Sequence, residues 1–192
     1  MNLRALSLAS LYGVAMLLTP MSAMGQSNAP STGVAQSSAK SASERDRTLA
    51  QSGYFVEFRV ATIGTYGHSY AVYGRKGGVL RYADLHPMGG YAGMAIGHLL
   101  PVPANTEWNP EVLSLPIASS YRRALSRDQY QKLVAAVRDA RAKKQPYWNA
   151  LTNNCNHFIG QLASAIGLRV PMHFQVSYTF VPALRALNEA SQ

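Results

Sequence analysis

The chain has 192 residues, 47% of them hydrophobic and 14% charged, which excludes wholesale disorder and suits one domain with a tail. Lys and Arg number 18 against 9 Asp and Glu, a formal +9. The bases are scattered, which fits a solvated surface able to meet anionic envelope polymers rather than a nucleic-acid stripe, so no nucleic-acid partner is expected. A single cysteine, Cys155, rules out an intramolecular disulfide framework and any multi-cysteine metal site.

The N-terminus reads as an export signal. Arg4 gives a short positive start, the stretch from Leu6 to Leu18 is apolar, and Ala23-Met24-Gly25 offers small residues for cleavage before Gln26. The apolar run falls short of the roughly 20 residues a membrane span needs, so no stable anchor is expected. Loss of residues 1–25 removes one base and leaves 17 against 9 acids, still +8. Residues 26–51 are rich in Ser, Ala, Gln and Thr, with two charged pairs and no aromatic, a composition that cannot offset the entropy of ordering, and read as a disordered spacer. The globular domain is expected over 52–192, in a protein that is periplasmic or secreted.

Residues 54–63 alternate, with Val56, Phe58 and Val60 on one face, and predict a half-buried strand. After the Gly64-Thr65-Tyr66-Gly67 turn, 68–74 and 79–82 predict a second and a third strand. The Gly- and Met-rich stretch 84–97 shows no readable period. It is either an ordinary loop or an apolar lip over a site. A fourth strand is expected at 112–117. Ser126 with Gln129 matches a capping box, and Tyr130, Leu133, Val134 and Val137 follow at helical spacing, with Pro146 as the stop. A second helix is predicted from Cys155, capped by Asn153 or Asn154 and closed by Gly167. The stretch 174–180 reads as a last strand, and 182–190 as a short final helix.

Cys155 stands where the polar Thr152-Asn153-Asn154 turn meets the first turn of that helix. A lone cysteine is usually an inert buried residue. At a helix N-terminus, however, unpaired N–H groups and the macrodipole favour a thiolate, and can also stabilise an oxyanion on a carbonyl that it attacks. Asn153, Asn154 and Asn156 are the candidate supports of that helix end. Among five histidines, His68 is best placed as a base, since it opens a strand directly after a turn. His157 lies about 200° round the helix from Cys155 and reads as a packed or surface residue. His86, His98 and His173 carry no readable geometry, and no pair has metal-site spacing, so neither metal nor cofactor is expected. No certain third group orients His68. Tyr66 is the candidate for an accessory hydroxyl.

The stretch from Tyr147 through Thr152-Asn153-Asn154-Cys155-Asn156-His157-Phe158 resembles the cysteine motif of the PPPDE group, the permuted papain-fold peptidases. Its Asn-Cys-Asn-x-Phe core is similar to the motif of lecithin:retinol acyltransferase relatives, and Gly67-His68-Ser69-Tyr70 resembles the histidine strand of the same families. The histidine strand comes first and the cysteine helix last, as in the permuted branch. The resemblance implies an α+β, circularly permuted papain-like (NlpC/LRAT-like) fold, with a small antiparallel sheet packed against the cysteine helix. It also implies Cys155 as nucleophile and His68 as general base. The export signal departs from the eukaryotic members, which act inside the cell on protein modifiers.

Three functions compete. The first is an exported thiol hydrolase that cleaves a peptide or isopeptide bond, with cell-wall peptide as a sensible substrate. The second uses the same dyad for acyl transfer or lipid-ester cleavage. The third is an envelope-binding module without turnover. The dyad reading predicts His68 within about 3–4.5 Å of the Cys155 sulfur.

Overall fold

A computed structural model describes residues 51–107 and 109–189. The expected signal and nearly all of the expected spacer lie outside the described residues. In chain order the elements are β1 (Tyr54–Ala61), β2 (His68–Arg75), β3 (Leu80–Ala83), β4 (His86–Pro87), α1 (Gly90–Gly97) and β5 (Val102–Asn105). They continue with α2 (Pro110–Ser114), β6 (Ile117–Leu125), α3 (Arg127–Arg141), β7 (Tyr147–Trp148), α4 (Cys155–Ala165) and α5 (Ser177–Glu189). The fold is mixed α+β. A four-stranded sheet has the order β3-β2-β1-β6, and a three-stranded one runs β4-β5-β7.

All pairings of the larger sheet are antiparallel. The alternation in β1 places Val56, Phe58 and Val60 in the core, each fully buried. Helices α3, α4 and α5 pack over that face and contribute Leu133, Val137, Ile159, Leu162, Phe180 and Leu184. Ala61, Tyr70 and Val72 on the opposite face are covered by Val112 of α2. Gly67 ends the β1–β2 turn at φ 65, and a side chain there would press on Val60 and Tyr178, so the turn tolerates little else.

The capping box at Ser126 is formed as the sequence predicts. Its hydroxyl accepts from the Gln129 N–H, and the Gln129 side chain accepts from the Ser126 N–H. That helix ends at Arg141, however, before Pro146 is reached. Two other expectations are corrected, and the stretch left open at 84–97 is resolved. At 112–117 there is no strand: Asn109 caps a helical turn with Pro110 at its start, and β6 begins only at Ile117. The 84–97 stretch holds β4 and α1 rather than a loop. In place of the separate strand at 174–180 and helix from 182 there is one helix, α5, which begins at Ser177 and has Pro182 inside it. Proline removes a single N–H there, while burial of Phe180, Val181 and Leu184 on the sheet side offsets that loss.

Candidate active site

Cys155 is the first residue of α4, held by a turn built from asparagines. Asn154 is the N-cap: its side-chain oxygen accepts from the His157 N–H at 3.1 Å, and His157 Nδ1 accepts from the Asn154 N–H at 3.4 Å. A histidine thus completes a box that usually takes Glu or Gln. Asn154 Nδ2 donates to the Ala150 carbonyl, and Asn153 Nδ2 to that of Tyr147, both at 2.6 Å. Asn153 therefore staples the turn and does not enter the site. Loss of the cap in Asn154→Ala is expected to lower stability by about 1 kcal/mol, read from urea unfolding. The N–H groups of Cys155 and Asn156 begin the helix and have no partner within it.

His68 opens β2. Pairing between β2 and β3 spans only Ala71 opposite Ala83 to Gly74 opposite Leu80, which leaves the first residues of β2 open on that side. The chain leaving β3 turns Asp84 into the opening. His68 Nε2 donates to Asp84 Oδ1 at 2.5 Å, and His86 Nδ1 donates to the other carboxylate oxygen at 3.2 Å. With Nε2 committed, Nδ1 is the ring nitrogen left for the Cys155 thiol, which lines the same cleft as His68, and each group shifts the titration of the other.

Beneath the sulfur lies a buried polar cluster. Asn156 Oδ1 accepts from Ser69 Oγ at 2.8 Å and from Ser177 Oγ at 3.0 Å, while its Nδ2 donates to the Gln175 carbonyl. Ser177 Oγ is also 3.5 Å from Cys155 Sγ. Each hydroxyl has one proton, so sulfur and amide oxygen compete for it. Asn156 thus supports the site from below, as a fixed acceptor for two serines that face the thiol.

The electrostatics follow from this packing. Burial by itself raises the Cys155 thiol, but the hydrogen bond and charge of His68, then the Ser177 and Ser69 hydroxyls, bring it down to about 7. Burial lowers His68, and the carboxylate of Asp84 overrides it, so the imidazolium persists well above its ordinary range. Burial also raises Asp84, and the two histidines on its oxygens pull it back down to about 2. The thiol, the imidazole and the carboxylate are therefore three buried groups, each of which shifts the titration of the next.

The other sequence candidates fall out differently. Tyr66 is exposed on the rim of the site with its ring against His98, and the place beside His68 belongs to Asp84. His86 is no loose surface residue, since it holds the far oxygen of Asp84. His157 stacks on His173 with ring centroids 4.6 Å apart, away from the sulfur. Asp84 was hidden within an unreadable stretch. Its one signal is an acidic residue between Ala83 and Leu85 at the end of a strand antiparallel to that of His68. Ser177 left no signal, because its segment reads as a strand.

Cys155 and His68 open into a cleft of about 440 Å³, within the range of about 300–1,000 Å³ usual for ligand sites. Tyr91, Met94 and His98 of the α1 region form one wall, with Trp148, Leu151 and Phe174 among the others. Among the described residues no lysine or arginine lines it, and Glu111 is its one carboxylate. Among the described residues, too, no group of three His, Cys, Asp or Glu side chains is placed to hold a metal ion.

The structure defines a mixed α+β protein with small antiparallel sheets and a buried Cys–His–Asp constellation at a helix N-terminus. Comparison with protein-family models, with curated proteins and with solved structures found no match.

Proposed function

We propose that the protein is an exported cysteine hydrolase of permuted papain type that cleaves an amide bond through an acyl-enzyme on Cys155. The observation that carries this reading is the gathering of Cys155 and His68 in one cleft, with Asp84 bonded to Nε2 of that histidine. The order of the two motifs, histidine strand before cysteine helix, supports the permuted architecture and its likeness to the PPPDE group.

In this mechanism the Cys155 thiolate attacks the carbonyl carbon, and the negative oxygen meets the N–H groups of Cys155 and Asn156. His68 Nδ1–H then gives its proton to the leaving nitrogen, the C–N bond breaks, and a thioester remains. Neutral His68 takes a proton from water, the resulting hydroxide attacks the thioester, and the thiolate departs. Asp84 holds the ring through Nε2 and stabilises the imidazolium. It touches no substrate and is a positioning residue.

Ester cleavage or acyl transfer at the same site is the second reading, and the apolar cleft wall without a lysine or arginine favours it. Both are tested by incubating the protein with cell-wall peptides and acyl esters in parallel. Mass spectrometry should catch an acyl adduct on Cys155, and Cys155→Ala should lose both adduct and turnover. Equal hydrolysis by Cys155→Ala, or no adduct from any substrate, would leave the fold as a binding module for anionic envelope polymers.

A further inference from the structure

The stretch from Met88 to Leu100, with α1 at its centre, contains no Asp, Glu, Lys or Arg. Its apolar side chains nevertheless face solvent: Tyr91 is 82% exposed, Leu99 83%, and Leu100 and Ile96 more than half. An ordinary surface helix hides such residues along one stripe. This one is also firmly held. The Gly97 carbonyl accepts from the Ala150 N–H at 3.0 Å and from Asn149 Nδ2 at 2.9 Å, and Gly97 sits so close to Trp148 that no side chain would fit there. The apolar residues are therefore presented on a fixed support next to the turn that carries Cys155.

Two further features say what they meet. The patch is continuous with the catalytic cleft, since Tyr91 lines it and exposed Leu151 and Phe174 extend the apolar rim across its mouth. Beyond Met88 the surface dips into a depression edged by Pro101, Tyr147 and Lys144, with Lys143 exposed alongside. Apolar and aromatic side chains flanked by lysines match an interface between hydrocarbon and anionic headgroups. A water-soluble peptide substrate requires neither feature.

We propose that the 88–100 segment seats the mouth of the Cys155 cleft on an anionic lipid surface, and that the cleft takes the acyl chain of a molecule in that surface. The substrate half of the proposal rests on the cysteine-hydrolase reading, whereas the surface half does not. Lysines draw the protein to the headgroups, Tyr91, Ile96, Leu99 and Leu100 enter the acyl boundary, and a chain passes into the cleft without crossing water. The ester carbonyl then reaches Cys155: the thiolate attacks it, His68 gives its proton to the leaving alcohol oxygen as the C–O bond breaks, and water activated by His68 hydrolyses the thioester to free acid and thiolate.

The test is sedimentation of the full chain with vesicles of phosphatidylglycerol and phosphatidylcholine, against phosphatidylcholine alone. Any contribution from residues 1–50 is common to all variants. Wild type should bind the anionic vesicles, and Leu99→Glu/Leu100→Glu should bind about tenfold less or weaker still. Lys143→Glu/Lys144→Glu should lose binding in a salt-sensitive way. Val79→Glu, equally exposed on the β2–β3 turn, should match wild type. Circular dichroism checks folding. In parallel, wild type should turn over a dodecanoyl p-nitrophenyl ester faster than the butyryl ester. Binding equal in the Leu99/Leu100 and Val79 variants would overturn the lipid surface, and would point to a protein partner for the patch. Preference for the butyryl ester would overturn the acyl subsite. Vesicle binding without turnover of either ester would overturn the acyl subsite and leave the surface standing, and absence of any Cys155 adduct from cell-wall peptides as well would overturn the cysteine-hydrolase reading.

Discussion

Asp84→Asn is expected to lower turnover by about 10²–10⁴-fold while the protein remains folded. The amide keeps the shape of the carboxylate and loses its charge, so the buried imidazolium of His68 is no longer stabilised. The histidine becomes neutral near pH 7, the thiol loses its cationic partner, and the thiolate fraction falls. Alkylation by iodoacetamide over a range of pH reads this directly. Wild-type Cys155 should titrate near 7, and the Asp84→Asn midpoint should move up. Unchanged turnover and an unmoved midpoint would show that Asp84 only fills space.

The same carboxylate makes stability depend on pH. In the folded protein it is held at about 2, below its ordinary value of about 3.9. The group therefore stabilises the fold above about pH 4, and that contribution is lost as pH falls toward 2. His68 has the opposite sign. Its raised value contributes stability that is complete below about pH 6.5 and is lost only as pH rises through the folded value.

His68→Ala is expected to cost a comparable factor in turnover, with a sharper signature on the thiol. Burial is the largest influence on Cys155 and acts to raise it. Without the imidazolium only the serine hydroxyls and the helix N-terminus oppose burial, so the midpoint should rise from about 7 toward the ordinary thiol value of about 8.5. Alkylation at neutral pH should slow accordingly. A Cys155 that reacts at the same rate with and without His68 would be a structural residue. Cys155→Ala in the same assay supplies the baseline for label on other groups.

How far each residue was legible depends on the range of the interaction that places it. Cys155 was readable because its address is local: an asparagine cap, a first turn and an apolar stripe lie within a few residues of one another. His68 was readable as the start of a strand after a glycine turn. The segment containing Ser177 was misread because Phe174, Val176 and Phe180 imitate a strand, and Pro182 argues against a helix. Burial of Phe180, Val181 and Leu184 decided otherwise, and no local pattern reports that.

By itself the sequence determined the three leading strands, the two capped helices and the pairing of Cys155 with His68 as the chemistry to examine. Periodicity and capping are short-range, and a chain displays them without being folded. The tertiary structure alone decided that Asp84 fills the gap left by the short β3 and that Ser69 and Ser177 meet under the sulfur through Asn156. It alone set an apolar helix at the mouth of the cleft. Each of these joins residues distant in the chain whose side chains are ordinary until a sheet register or a helix packing brings them together, and register and packing are properties of the whole core.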